Sequence, residues 1–168
     1  PYYQFSNFYP SLITLDEDKW LTTEHYYQAQ KFNDPRSARS IEYMTIIRQA
    51  YTPNKIFLLA NQKKGGGYKS KWVVSKKTMN IPINQVVDQY KDVKIRLDWE
   101  DIKLDVMRRA LHAKFTQHAD LSELLVSTGD SQIIEDSPRD DYWGIGEHGT
   151  GLNWLGRLLM ELRDQLKH

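Results

Sequence analysis

Cysteine is absent from the 168 residues, which removes disulfides, thiolate nucleophiles and cysteine-held metals from consideration. No apolar run approaches the roughly 20 residues that a membrane-spanning helix needs, so no membrane partner is expected. The first residues have neither the basic patch nor the apolar stretch of a signal peptide, and a cytoplasmic location is the expectation. The chain opens on proline, so a few natural residues are expected ahead of it. Net charge is also scarce: 23 Lys and Arg against 22 Asp and Glu leave +1, which says little about partners. Five histidines, at 25, 112, 118, 148 and 168, show no metal-ligand spacing, and neither a metal nor any other cofactor is expected.

What is present is the mixture of a globular protein, with 40% hydrophobic and 27% charged residues. The chain is read as a single domain over 1–168, since no repeat and no linker divides it. "QFSNFYP" and "SLITLD" look like short strands interrupted by Pro10. "TTEHYYQAQKF" then reads as a helix capped by Thr22 or Thr23, with Glu24 in its first turn. Asp34 and Pro35 suggest a cap and first helical residue for a helix running to about Arg48, and Thr52 and Pro53 repeat that device. Ile81, Pro82 and Ile83 suggest an extended or turning path. Asp98 is the expected cap of a long helix with Ile102, Val106, Ala110 and Ala113 along one stripe. "ADLSELLVSTG" is a shorter helix stopped by Gly129, "SQIIED" a short strand, and 152–166 a last helix with leucines inward. The expected class is α+β, mainly helical around a small, mostly antiparallel sheet.

Two formal motifs fail. Gly144, Gly146 and Gly149 spell G-x-G-x-x-G, but no buried strand precedes them and the chain ends before the acid that would follow. "GGGYKSK" lacks the Walker spacing, because Tyr68 stands ahead of Lys69 and Ser70. The stretch 63–77 holds six lysines and no acid, with Tyr68 and Trp72 between them. It reads either as a solvated loop or hairpin edge, or as a flap facing phosphate or nucleic acid.

Other features carry chemistry. Glu24, Gln28 and Lys31 fall at i, i+4 and i+7, on one helix face. That face is either a solvated salt bridge or a carboxylate and an amine aimed at a substrate. The glycines between 144 and 156 are either turn residues or part of an anion site at a helix start. Trp143 and Trp99 are either core or stacking plates, and Arg96 meets either solvent or an anion. Carboxylates at Glu24 and Asp140, the Lys31 amine, aromatic plates and a glycine-rich loop together suit a phosphorylated, nucleoside-like ligand.

The order of "FSNFYP", "TEHYYQAQKF", "MRRALHAKFTQHADL" and "DDYWGIGEHGTGLNWLGRLLMELR" resembles the NADAR family, also called YbiA-like, over nearly the whole chain. The resemblance implies a mainly helical α+β domain that cleaves N-glycosidic bonds of ribose-phosphate compounds without a cofactor. One branch hydrolyses ribosylaminopyrimidine phosphates, early intermediates of riboflavin synthesis. Another removes ADP-ribose from guanine bases in nucleic acid, and a non-catalytic ADP-ribose or nucleic-acid binder is the third reading. Carried over by position, the resemblance implies catalytic roles for Glu24, Lys31 and Asp140. It places Ser6, Asn7, Arg96, Trp99, Trp143, Gly144, Gly151 and Asn153 along the substrate pocket. Lys31 either stands as an electrostatic partner or forms a Schiff base at C1′, with rings such as Tyr27 and Phe32 lowering its pKa. Much of 63–90 looks like a lysine-rich insertion on which the resemblance is silent.

Overall fold

The computed structural model describes residues 2–50, 53–62 and 82–167. The lysine-rich stretch 63–77 lies outside them. The chain divides into two units, Ser6–Ala110 and Pro1–Phe5 with Leu111–His168.

The first unit starts with a hairpin. Strands β1 (Ile13–Leu15) and β2 (Asp18–Trp20) pair antiparallel, with Ile13 opposite Trp20 and Leu15 opposite Asp18. Asp16 and Glu17 both have positive φ, 53° and 64°, the backbone that a two-residue turn needs to match strand twist. The expected strand over "QFSNFYP" does not form; Tyr3–Phe5 is a 3₁₀ turn. There Ser6 turns the chain instead, its Oγ accepting from the Phe8 N–H at 3.2 Å.

Helix α1 (Thr23–Gln30) follows, and of the two candidate caps Thr22 is the one used: its side chain accepts from the His25 N–H. Trp20 meets Tyr26 edge-on at 5.2 Å, and the Tyr26 hydroxyl donates to Asp16 at 2.8 Å, so hairpin and helix hold one another. Helix α2 (Ala38–Arg48) starts later than Asp34 and Pro35 suggest. The Asp34 carboxylate takes the backbone N–H and guanidinium of Arg36, closing a turn, and Ser37 becomes the cap. Helix α3 (Pro53–Ala60) begins on its proline as expected. Helix α4 (Ile83–Gln89) replaces the extended path expected at Ile83. Pro82 lies just before it, where a missing N–H costs nothing, and Val86 and Val87 are buried. Just past α4, Tyr90 stacks on Tyr43 at 4.9 Å. Helix α1 packs against α2, α3 and β2.

Helix α5 (Trp99–Gln117) carries acids Glu100 and Asp101 in its first turn, and the division between the units falls within it. The Asp98 carbonyl takes the Ile102 N–H, while its carboxylate is held by Arg96.

In the second unit, α6 (Ala119–Ser127) packs on α7 (Trp154–Leu166). Gly129, at φ +60°, ends the α6 segment as expected. "SQIIED" forms no strand. The Asn153 side chain takes the place of a strand partner, accepting from the Glu135 N–H and donating to the Ile133 carbonyl, each at 2.9 Å. Helix α7 is an ordinary amphipathic helix, with Leu155, Leu158, Leu159 and Leu162 buried, though Leu166 is only half-buried. Among the described residues, no helix is long and apolar enough to cross a membrane. The architecture is mainly helical α+β with a two-stranded antiparallel sheet.

Candidate functional site

Residues 22–32 are all buried, although this segment holds Thr22, Thr23, Glu24, His25, Gln28, Gln30 and Lys31. A solvated salt-bridge face is therefore excluded. Burying so many polar groups requires partners for them, and most are found locally. The Glu24 N–H donates to the Asn7 carbonyl at 3.1 Å, and the Thr23 hydroxyl lies 3.1 Å from both the Asn7 carbonyl and its side-chain oxygen. Asn7, expected to line a pocket, therefore clamps the start of α1. His25 uses both ring nitrogens, one against Thr22 Oγ1 at 2.8 Å and one against the Ala50 carbonyl at 3.0 Å. Burial lowers its pKa to about 4, so it is neutral at pH 7.

The row of interest lies between these anchors. Glu24 is 6% exposed and Lys31 8%. Between them, Gln28 donates its side-chain N–H to Glu24 Oε1 at 2.7 Å. Burial pulls the Lys31 pKa below the ordinary lysine value, opposed by the negative fields of Glu24 and Glu100 and reinforced by Lys103. The Lys31 ammonium lies 5.8 Å from the Tyr27 ring centre and 5.9 Å from that of Trp99, and these two rings lie 5.0 Å apart. Of the two rings expected beside the amine, Tyr27 is there. Phe32 packs edge-on against Tyr43 at 4.9 Å instead, and Trp99 takes its place.

Trp99 reaches that position through Arg96. The Arg96 N–H donates to the Lys31 carbonyl at 2.9 Å, its guanidinium to the Asn33 carbonyl at 3.0 Å, and a fork of two bonds to Asp98 at 2.6 and 2.8 Å. Arg96 thus fastens the entry to α5 against the end of α1, and the segment it fixes delivers Trp99. Ser6, Asn7, Glu24, Lys31, Arg96 and Trp99 all belong to this unit.

The other expected residues lie in the second unit, on the loop 138–153. Asp140 Oδ1 accepts the N–H groups of Tyr142 and Trp143 at 3.0 and 2.8 Å, so the carboxylate folds its own loop. The Trp143 ring meets Tyr142 edge-on at 5.1 Å. A Cβ on Gly144 would sit 2.7 Å from the Glu135 carbonyl, and one on Gly151 would sit 2.5 Å from the Gly144 carbonyl. Close backbone packing alone demands glycine at both places. Asn153, at φ 52°, precedes α7 and spends its amide on the 133–135 segment. Arg139, Tyr142, His148 and Thr150 border an open cavity of about 550 Å³ on this loop. Glu135, half-buried nearby, has its pKa raised by burial and then by Asp140 and Asp136. Helical spacing pointed to Gln28 but not to Glu135, whose setting depends on how the loop folds.

Comparison with known proteins adds to this geometry. The NADAR domain model matches residues 1–167. An N-glycosidase of Nostoc punctiforme is 34% identical over 168 residues, covering 100% of this chain and 88% of that protein. The N-glycosidase YbiA of Escherichia coli is 39% identical over 165 residues, 98% of this chain and 82% of that one. Its NMR structure superposes with a TM-score of 0.70 at 37% identity, over 97% of this chain and 77% of that chain. The chloroplastic riboflavin biosynthesis protein PYRR of Zea mays is 34% identical over 167 residues, 96% of this chain but 23% of that longer protein.

Proposed function

Because this chain belongs to the NADAR family and is an N-glycosidase, we propose that it hydrolyses the C1′–N bond of a phosphorylated ribosylamine of the ribosylaminopyrimidine phosphate type. The observation that carries the reading is the buried row Glu24–Gln28–Lys31 on α1. The substrate class follows a relative whose name places it in riboflavin biosynthesis.

Cleaving this bond builds positive charge on C1′ and O4′ and negative charge on the departing nitrogen. Glu24 supplies the carboxylate that stabilises the first. Lys31 supplies an amine whose lowered pKa leaves more of it unprotonated and nucleophilic than a free lysine at the same pH. In the covalent route its nitrogen bonds to C1′ as the base's nitrogen leaves with a proton. The new ribosylamine then opens, a proton passing from nitrogen to O4′ to give an imine. Water adds across the C=N bond, returning the free amine and the open sugar phosphate. In the alternative, water attacks C1′ directly and the Lys31 charge only steadies the site. Asp140, in the other unit, holds the loop that carries Trp143.

A substrate panel tests the proposal. Release of ribose 5-phosphate from a ribosylaminopyrimidine phosphate is the expected result. Release of sugar only from an ADP-ribosylated guanine oligonucleotide would overturn it. Borohydride added during turnover is expected to leave a sugar adduct on Lys31; product without an adduct selects direct attack by water.

A further inference from the structure

One polar atom in the α1 row has no partner. Gln28 is 5% exposed and gives its side-chain N–H to Glu24, yet its carbonyl oxygen Oε1 is buried and accepts no hydrogen bond. Turning the amide over does not cure this, because it would set that oxygen against the Glu24 carboxylate, acceptor against acceptor. An unmet buried acceptor of this kind is destabilising until a donor reaches it. Other polar side chains of α1 are committed elsewhere: the Thr23 hydroxyl lies against the Asn7 oxygens and the His25 ring against Thr22 and Ala50. A hydroxyl arriving with a ligand, or a water that it displaces, is the donor this oxygen needs. Glu24 and Lys31 retain 6% and 8% exposure, so the row is not sealed.

We propose that Gln28 is a specificity-determining residue whose side-chain carbonyl accepts a hydrogen bond from the ribose 2′-hydroxyl, so that ribosyl compounds are taken and 2′-deoxyribosyl compounds refused. This rests on the phosphoribosyl reading above. Gln28 stands between the carboxylate and the amine assigned to C1′, one helical turn from Glu24 and three residues from Lys31. The hydroxyl nearest C1′ is the one on C2′. A ligand lacking it leaves the buried carbonyl unmet, and sites built around such a bond discriminate strongly against the analogue without it. The same amide holds Glu24 in place, which joins recognition of the sugar to placement of the carboxylate.

Calorimetric titration with ribose 5-phosphate, 2-deoxyribose 5-phosphate and arabinose 5-phosphate tests this without choosing a base. The wild-type protein is expected to prefer ribose 5-phosphate over the other two by about tenfold or more, one hydrogen bond's worth of discrimination. Gln28→Met, close in volume and without an acceptor, is expected to lose most of the preference for ribose over 2-deoxyribose 5-phosphate, whatever the loss of the Glu24 bond costs all three sugars together. A role confined to packing or to orienting Glu24 would weaken all three sugars alike and leave the ribose preference intact in the variant, and that result overturns the proposal. Equal binding of ribose and 2-deoxyribose 5-phosphate by the wild type, an arm needing no variant, overturns it while leaving the phosphoribosyl reading intact. Wild-type binding of none of the three sugars would bring down both.

Discussion

Two of the lysines buried among the described residues, Lys31 and Lys114, lie one in each unit and differ in company. Lys114 is fully buried beside the Phe115 ring, 5.3 Å away, and burial alone lowers its pKa to about 7. Lys31 is also lowered by burial, but Glu24 and Glu100 oppose the shift, and Gln28 ties that Glu24 carboxylate to the same helix face. A perturbed amine is by itself no sign of chemistry, since burial perturbs any base. The combination of a lowered amine, a carboxylate in its field, a bridging amide and two aromatic walls sets Lys31 apart.

The largest test of that difference is activity. Lys31→Ala is expected to lower kcat/KM for the ribosylaminopyrimidine phosphate by about 10⁴-fold, as loss of a nucleophile or acid–base group does. Lys114→Met is expected to leave kcat/KM nearly unchanged. Initial rates of sugar release measure both, and equal losses would erase the distinction between the two lysines.

Stability against pH separates them next. The unfolded chain keeps the Lys114 proton up to about pH 10.5, whereas the folded chain gives it up near 7. The unfolded state therefore binds more protons in that window, and stability rises with pH. From pH 7 to 10 the gain is on the order of 4 kcal/mol. Above pH 10 the buried tyrosines reverse it, since burial raises the pKa of Tyr26 and Tyr43, and that of Tyr90 to about 12. Urea unfolding across the range should show a maximum near pH 10, and Lys114→Met should flatten the rise.

How much of this contrast was legible in the sequence depends on distance along the chain. A helix start at Thr22 or Thr23, the one-sided spacing of Glu24, Gln28 and Lys31, and the α7 leucines follow from local sequence pattern. The order of motifs carried the family. What spacing could not give was the second wall beside Lys31. Trp99 arrives from far along the chain through the Arg96 bonds to Lys31 and Asn33, while the nearby Phe32 turns toward Tyr43. The strand expected at "SQIIED" failed for a related reason: a side chain, Asn153, met the backbone groups that a neighbouring strand would have met. Asp34 misled because its carboxylate had a closer use, in the turn with Arg36.

His25 supplies another buried base and extends the comparison to acid. Both of its nitrogens are in hydrogen bonds that suit the neutral ring, and its pKa falls from 6.5 to about 4. The unfolded chain binds that proton first, so the contribution is complete above pH 6.5 and is lost as pH falls toward 4. The loss is about 3 kcal/mol. It is read as a decline in the urea midpoint between pH 6.5 and 4. The window ends above the point where the lowered carboxyl of Asp34, at about 2, begins to titrate. A flat midpoint across it would mean that His25 is not held neutral.

The smallest effect sharpens the comparison most, because it makes Lys31 resemble Lys114. Glu24→Gln keeps the side chain's size and removes the negative field that props up the Lys31 pKa. Turnover is expected to fall by about 10²-fold as C1′ loses its carboxylate. If Lys31 acts as a neutral amine, the acid limb of kcat/KM reports its pKa in the free enzyme. That limb should then move to lower pH in the variant, because burial acts there with less opposition. A carboxylate acting only on the sugar would lower the plateau and leave the limb where it was. The plateau thus measures what Glu24 does for the substrate, and the limb measures what it does for Lys31.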